Sequence, residues 1–122
     1  MAGIQRFEDI QAWQKARVLT RMIYQATNGD TIFGRDCGLK DQIRRASVSI
    51  MSNIAEGFAR KTDKEFGRFL HIALGSVAEV QSQLYVALDQ EYLAEKEFQE
   101  MYDAASEAAR LTTAFVQYLT AD

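Results

Sequence analysis

Not one of the 122 residues is proline. Proline removes a backbone donor and blocks a helix interior, so a chain without it is free to run long helices. That freedom permits helices without proving them. The hydrophobic pattern supplies the rest, because apolar residues recur with the helical period in four separate segments. Residues 1–122 fit one domain, and the 48% apolar content is enough for one core.

The first segment runs from about Asp9 to Asn28, with Ala12, Trp13, Ala16, Leu19, Thr20 and Ile23 on one side. Asp9 is the expected N-cap and Asn28-Gly29 the expected stop, with residues 30–36 read as a loop. The second segment runs from about Gly38 to Glu56 and is closed by Gly57. Leu39, Ile43, Ala46, Ile50 and Ile54 make its main stripe, and Val48, Met51 and Ala55 a second, narrower one. A helix apolar on two sides is usually buried on two sides, so Val48, Met51 and Ala55 are the candidate oligomer interface.

A third face of this segment is polar. Arg45 and Ser49 lie one turn apart, as do Ser52 and Glu56, so the face can form a hydrogen-bonded strip. Asn53 sits at the edge of the main stripe, where its amide must find partners or cost stability. With Gln42, Ser49, Ser52 and Glu56 it completes the polar residues of the motif.

Thr62 followed by Glu65 reads as a capping box and opens the third segment. Its stripe is Phe66, Phe69, Leu70, Ala73, Val77, Val80, Leu84 and Leu88, with Gly67 and Gly75 inside it, marking close helix contact or plain tolerance. A turn over residues 91–94 leads to the fourth segment, about Glu95 to Leu119, which carries Phe98, Met101, Tyr102, Ala105, Ala109, Thr112 and Val116 on one face. Short connections between long helices give antiparallel neighbours. The expected fold is all-α, an antiparallel up-down-up-down four-helix bundle sharing Trp13, Ile43, Ile50, Phe66, Phe69, Leu84, Phe98 and Val116 in one core.

The residues that would carry chemistry are scarce. The chain has no phosphate loop, no dinucleotide fingerprint and no nucleophile elbow. His71 is the sole histidine and Cys37 the sole cysteine, too few for a zinc centre or for the paired Glu-x-x-His of a di-iron bundle. Cys37 stands near a helix start, where the dipole favours a thiolate, but no motif orients a base toward it. No catalytic residue, cofactor, metal or small-molecule substrate is expected. One cysteine makes no intrachain disulfide and fits a reducing cytoplasm. The first residues lack a basic start followed by an apolar run, and no stretch nears the roughly 20 residues that span a bilayer. The expected address is cytoplasmic, away from membranes.

The net charge of −3 is unevenly spread. Residues 1–68 carry 12 Lys/Arg against 8 Asp/Glu, or +4, and residues 69–122 carry 2 against 9, or −7. Arg60, Lys61, Lys64 and Arg68 gather around the turn between the second and third helices, and with Arg44 and Arg45 they are the candidate nucleic-acid contacts. Two readings stand at this point: an anion or RNA contact patch, or a solvated helix boundary balanced by Asp63 and Glu65. Arg44 also flanks the second apolar stripe, where it can pair with a neighbouring subunit.

These residues carry a family likeness. Phe7-Glu8-Asp9-Ile10 with Trp13 and Ala16 opens it, and Gly38-Leu39 with Gln42-Ile43-Arg44-Arg45-Ala46 continues it. Ser49-Ile50, Ser52-Asn53-Ile54-Ala55-Glu56-Gly57 and Arg60 follow, then Phe66, Phe69-Leu70, Ala73, Gly75-Ser76, Glu79 and Tyr92-Leu93. Over most of its length the chain resembles the four-helix-bundle proteins encoded in intervening sequences of bacterial 23S ribosomal RNA genes. The resemblance implies a homo-oligomer, a pentamer in some members, with a poorly defined molecular role. A related group serves as accessory proteins to the reverse transcriptases of diversity-generating retroelements, where a basic pentamer contacts nucleic acid and enzyme. This chain departs from the pattern twice. Met51 stands where a proline is expected, and the pI is about 5.2, whereas a general nucleic-acid binder lies above about 9. Three functions therefore compete: an oligomeric adaptor for structured RNA or a ribonucleoprotein, a protein-only scaffold or accessory subunit of a reverse transcriptase, and, least supported, an enzyme.

Overall fold

The computed structural model describes residues 3–121. All of its regular structure is helical, with no strand among the described residues. A single 3-10 turn, Phe7–Asp9, precedes α1 (Gln11–Ala26), the short α2 (Ile32–Arg35), α3 (Cys37–Phe58), α4 (Asp63–Asp89) and α5 (Glu95–Thr120). The four long helices coincide with the four periodic segments; α2 has no counterpart in the pattern.

Two helix starts differ from expectation. Asp9 is not the N-cap of α1: it ends the 3-10 turn, and its carboxylate accepts from the Gln5 amide at 3.3 Å. The cap position falls to Ile10, which offers no side-chain acceptor but is almost wholly buried. Burying an isoleucine side chain contributes about 1.5–3 kcal/mol, against typically ~1 kcal/mol for a polar cap, so packing sets this boundary. The segment is pinned by Phe7 against Trp13, ring centroids 5.1 Å apart, and by Gln14 donating to the Glu8 carbonyl at 2.8 Å.

Residues 30–36 are not simply a loop. Thr31 caps α2, accepting from the Gly34 amide at 2.8 Å, and Phe33 is buried and stacks on Tyr92 at 5.6 Å. Four residues make one turn, too few for a period to register. Asp36 then caps α3 by accepting from the Leu39 amide at 3.1 Å, which starts that helix at Cys37.

Nor is Gly57 the stop of α3. It lies buried inside the last turn, where a Cβ would meet Phe66 Cδ1 at 2.7 Å and Phe69 Cβ at 2.9 Å. Glycine is needed there because α3 and α4 approach closely. Gly67 and Gly75 have open space around them, so they are tolerated and mark no close contact. Thr62 caps α4 as expected, accepting from the Glu65 amide at 3.1 Å, and the Glu97 carboxylate accepts from the Ala94 amide at 3.0 Å to open α5. Between α4 and α5 the backbone reverses with Glu91 in the left-handed region, φ 61°.

Packing follows the chain: α3 lies against α1 and α4, and α5 against α4 and α1. The cross-helix pairs run in opposite senses along each neighbour. Thr20 donates to the Ser47 carbonyl while Arg44 reaches Thr27; Ser49 meets Ser76 while Gly57 meets Phe66. Gln81 meets Ser106 while Phe66 meets Phe115. Ile43, Ile50, Phe66, Leu84 and Phe98 are buried in the common core, with Trp13 and Val116 half-buried at its margin; Phe69 is buried but lies outside that cluster. The buried hydroxyls of Thr27 and Thr112 donate to the carbonyls one turn back, at 2.7 Å each, so neither is left unpaired.

Candidate nucleic-acid interface

The six candidate basic residues do not form one patch. Arg60, Lys61, Lys64 and Arg68 are all exposed and crowd the α3–α4 turn. Arg44 and Arg45 lie nearly four helical turns back along α3, roughly 20 Å away at 1.5 Å per residue.

Arg44 is not a free cation. Its Nε donates to the Thr27 hydroxyl at 2.9 Å, its Nη2 donates to the Thr27 carbonyl at 3.1 Å, and its guanidinium lies 4.2 Å from the Tyr24 ring centroid. The side chain closes the C-terminal end of α1, where a cation is favoured by the helix dipole. Tyr24 lies two residues before the end of α1 and is half exposed, features with no periodic signal to connect them to Arg44. Arg45 is exposed and lines an open groove of about 550 Å³ with Tyr24, Asp41, Arg44, Val48 and Ser49.

The cluster at the turn is differently placed. Two of its guanidiniums converge on one ring, Arg60 at 4.6 Å and Arg68 at 4.8 Å from the centroid of Phe69. Arg68 also makes an exposed ion pair with Glu65 at 3.5 Å, a contact worth little in water. Arg60, Lys61 and Lys64 make no ion pair among the described residues. The cluster surrounds the N-terminus of a 27-residue helix, whose dipole adds positive potential, while Asp63 and Glu65 on the same turn subtract from it.

The polar face of α3 divides. Ser49 turns toward α4, where its hydroxyl pairs with that of Ser76 at 2.8 Å. Asn53 donates to the Ser49 carbonyl at 2.8 Å and to its hydroxyl at 3.0 Å, so the amide at the stripe edge is satisfied within the bundle. Arg45, Gln42, Ser52 and Glu56 are exposed and make no hydrogen bond to one another among the described residues, so the expected strip does not form. In the second apolar stripe Val48 is 40% exposed, but Met51 and Ala55 are half-buried, Met51 against the core. The stripe is narrower than its sequence implied.

His71 and Cys37 are both exposed, on different helices. No group of three His, Cys, Asp or Glu is placed to share a metal ion among the described residues. No described helix is long and apolar enough to cross a membrane.

Residues 8–114 match the sequence model of the 23S rRNA-intervening sequence protein family. The chain belongs to this family. The match covers α1, α3 and α4 whole and α5 as far as residue 114, and it includes both the α3 motif and the α3–α4 turn. A crystal structure of a protein with unknown function from the S23 ribosomal protein family of Bacteroides thetaiotaomicron VPI-5482 shares the fold, with TM-score 0.80 at 20% sequence identity. The superposition covers 87% of this chain and 98% of that one. No curated protein sequence matches significantly.

Proposed function

We propose that this member of the family is a non-enzymatic, homo-oligomeric adaptor that contacts structured RNA or a ribonucleoprotein through the α3–α4 end of the bundle. The observation that carries the reading is the exposed cluster of Arg60, Lys61, Lys64 and Arg68 at that turn, held against one weak ion pair. An acidic overall charge does not oppose this, because the excess of carboxylates lies in residues 69–122, outside the cluster. A local positive face can bind a polyanion within a net-negative molecule. The bundle is read as up-down-up-down, supported by the opposed cross-helix pairs, and the exposed Val48 on α3 is the centre of the proposed subunit contact. The family resemblance favours a pentamer, in which five weak clusters would act together. A cytoplasmic, bacterial setting belongs to the same reading.

The competing reading is a protein-only scaffold or an accessory subunit of a reverse transcriptase, favoured by the pI of about 5.2. A filter-binding titration with structured RNA at low salt separates the two. Retention of RNA supports the adaptor; no retention, with a protein partner recovered instead, supports the scaffold.

A further inference from the structure

The two arginines on Phe69 allow the ligand chemistry to be named more closely, on the reading that this end binds RNA. Arg60 lies two residues past the end of α3, and Arg68 stands on the second turn of α4. They come from opposite sides of the chain reversal, yet both guanidiniums settle on the same ring, at 4.6 and 4.8 Å.

Phe69 is only 7% exposed, with its Cβ held beside Gly57 and the two arginines over its ring. A ring held this way backs the cations and limits their rotamers. While the two arginines cover it, the ring offers no exposed face for a nucleobase to stack on. Arg60 has no ion pair and Arg68 only the weak one to Glu65, so N–H donors of both guanidiniums remain for hydrogen bonding. A planar fork of N–H donors matches two oxygens of a phosphate, and a lysine ammonium cannot reproduce that match.

The geometry points to a phosphate fork: Arg60 and Arg68, held in place by Phe69, bind a backbone phosphate of RNA without reading its bases. Lys61 and Lys64 supply field around it, and phosphate must displace Glu65 from Arg68, which a 3.5 Å exposed ion pair resists little. Phe69 is a positioning residue and touches no ligand.

The fork and the general RNA reading fail differently. The test compares wild type with the charge-preserving double variant Arg60→Lys, Arg68→Lys, after circular dichroism confirms an unchanged helical content. Affinity for an RNA duplex is read by fluorescence anisotropy, and the arginine Nε resonances are followed by NMR during titration with inorganic phosphate. The expected result is wild-type binding with little preference between duplex sequences, and a loss of about tenfold or more in the double variant despite its equal charge. Equal affinity of the two proteins overturns the fork and leaves RNA binding by charge alone. If wild type binds no RNA but phosphate moves the Arg60 and Arg68 resonances together, the fork stands for free phosphate and the RNA reading falls. If neither titration responds, both are overturned.

Discussion

Arg44 and Thr27 form a two-point lock between α3 and the end of α1, at 2.9 Å to the hydroxyl and 3.1 Å to the carbonyl. Thr27 is wholly buried, so the carbonyl would otherwise face the bundle without a donor. Leaving such a group unpaired costs about 1–3 kcal/mol. Arg44→Ala should therefore lower stability by that amount in urea denaturation, and it should leave RNA affinity unchanged where the protein is folded. Wild-type stability in the variant would show that the lock is ornamental.

A second prediction rests on glycine spacing. Gly57→Ala places a methyl group 2.7 Å from the Phe66 ring and 2.9 Å from Phe69 Cβ, so α3 and α4 must separate. Overpacking of this kind costs about 1–3 kcal/mol. Gly75→Ala meets nothing within 4 Å and should stabilise by about 0.5–1 kcal/mol through helix propensity alone. Thermal melts of the two variants should move in opposite directions.

Tyr92 offers a pH signature. Its hydroxyl donates to Asp36 Oδ2 at 2.9 Å, and this bond, then desolvation and the Asp36 charge, raise the phenol above its ordinary value of 10.0. A raised folded-state pKa stabilises the fold while the phenol is protonated, and the contribution disappears as pH climbs through the raised value. Tyrosinate absorbance should accordingly show Tyr92 titrating late in the native protein, alongside Tyr102, which is also raised. Asp36→Asn retains a competent α3 cap but removes the charge, and should bring that titration back toward 10. An unchanged late phase would assign it to a different tyrosine; Tyr102, raised by its bond to Tyr85, is the next candidate.

Self-association should depend on Val48. It is 40% exposed on α3 beside the groove shared with Tyr24 and Arg45. Val48→Glu puts a charge where the proposed contact must desolvate it, so light scattering should report a smaller species with the helical circular dichroism intact. A wild-type protein that is already monomeric at micromolar concentration would contradict the contact.

The fold was readable where a pattern spans many turns. Leu84 and Phe98 are buried because their helices repeat an apolar stripe over six or seven turns, which fixes the inward face regardless of neighbours. What the pattern could not carry was anything decided by a single tertiary contact. Ile10 displaced Asp9 from the cap because of what it packs against, and α2 exists because Phe33 finds Tyr92. The candidate interface shows the same limit. Arg60, Lys61, Lys64 and Arg68 are legible as a cluster because they are close in sequence, whereas nothing in the sequence marks Arg44 as engaged; only the fold puts Thr27 beneath it. Phe69 read as an ordinary core residue; the only hint of its second role is that an arginine directly precedes it.

The central claim, that the α3–α4 end binds RNA, is tested most directly by the salt dependence of RNA affinity in wild type and in Arg60→Glu, Lys61→Glu. Phosphate contacts release counterions, so log affinity should fall linearly with log salt, by about 0.7 to 0.9 for each phosphate neutralised. The account predicts a steep slope in wild type and binding lost in the charge-reversed variant, with the oligomer unchanged because the turn lies outside the core. Undetectable RNA binding by wild type at low salt, or a variant that binds with the same slope, would contradict it.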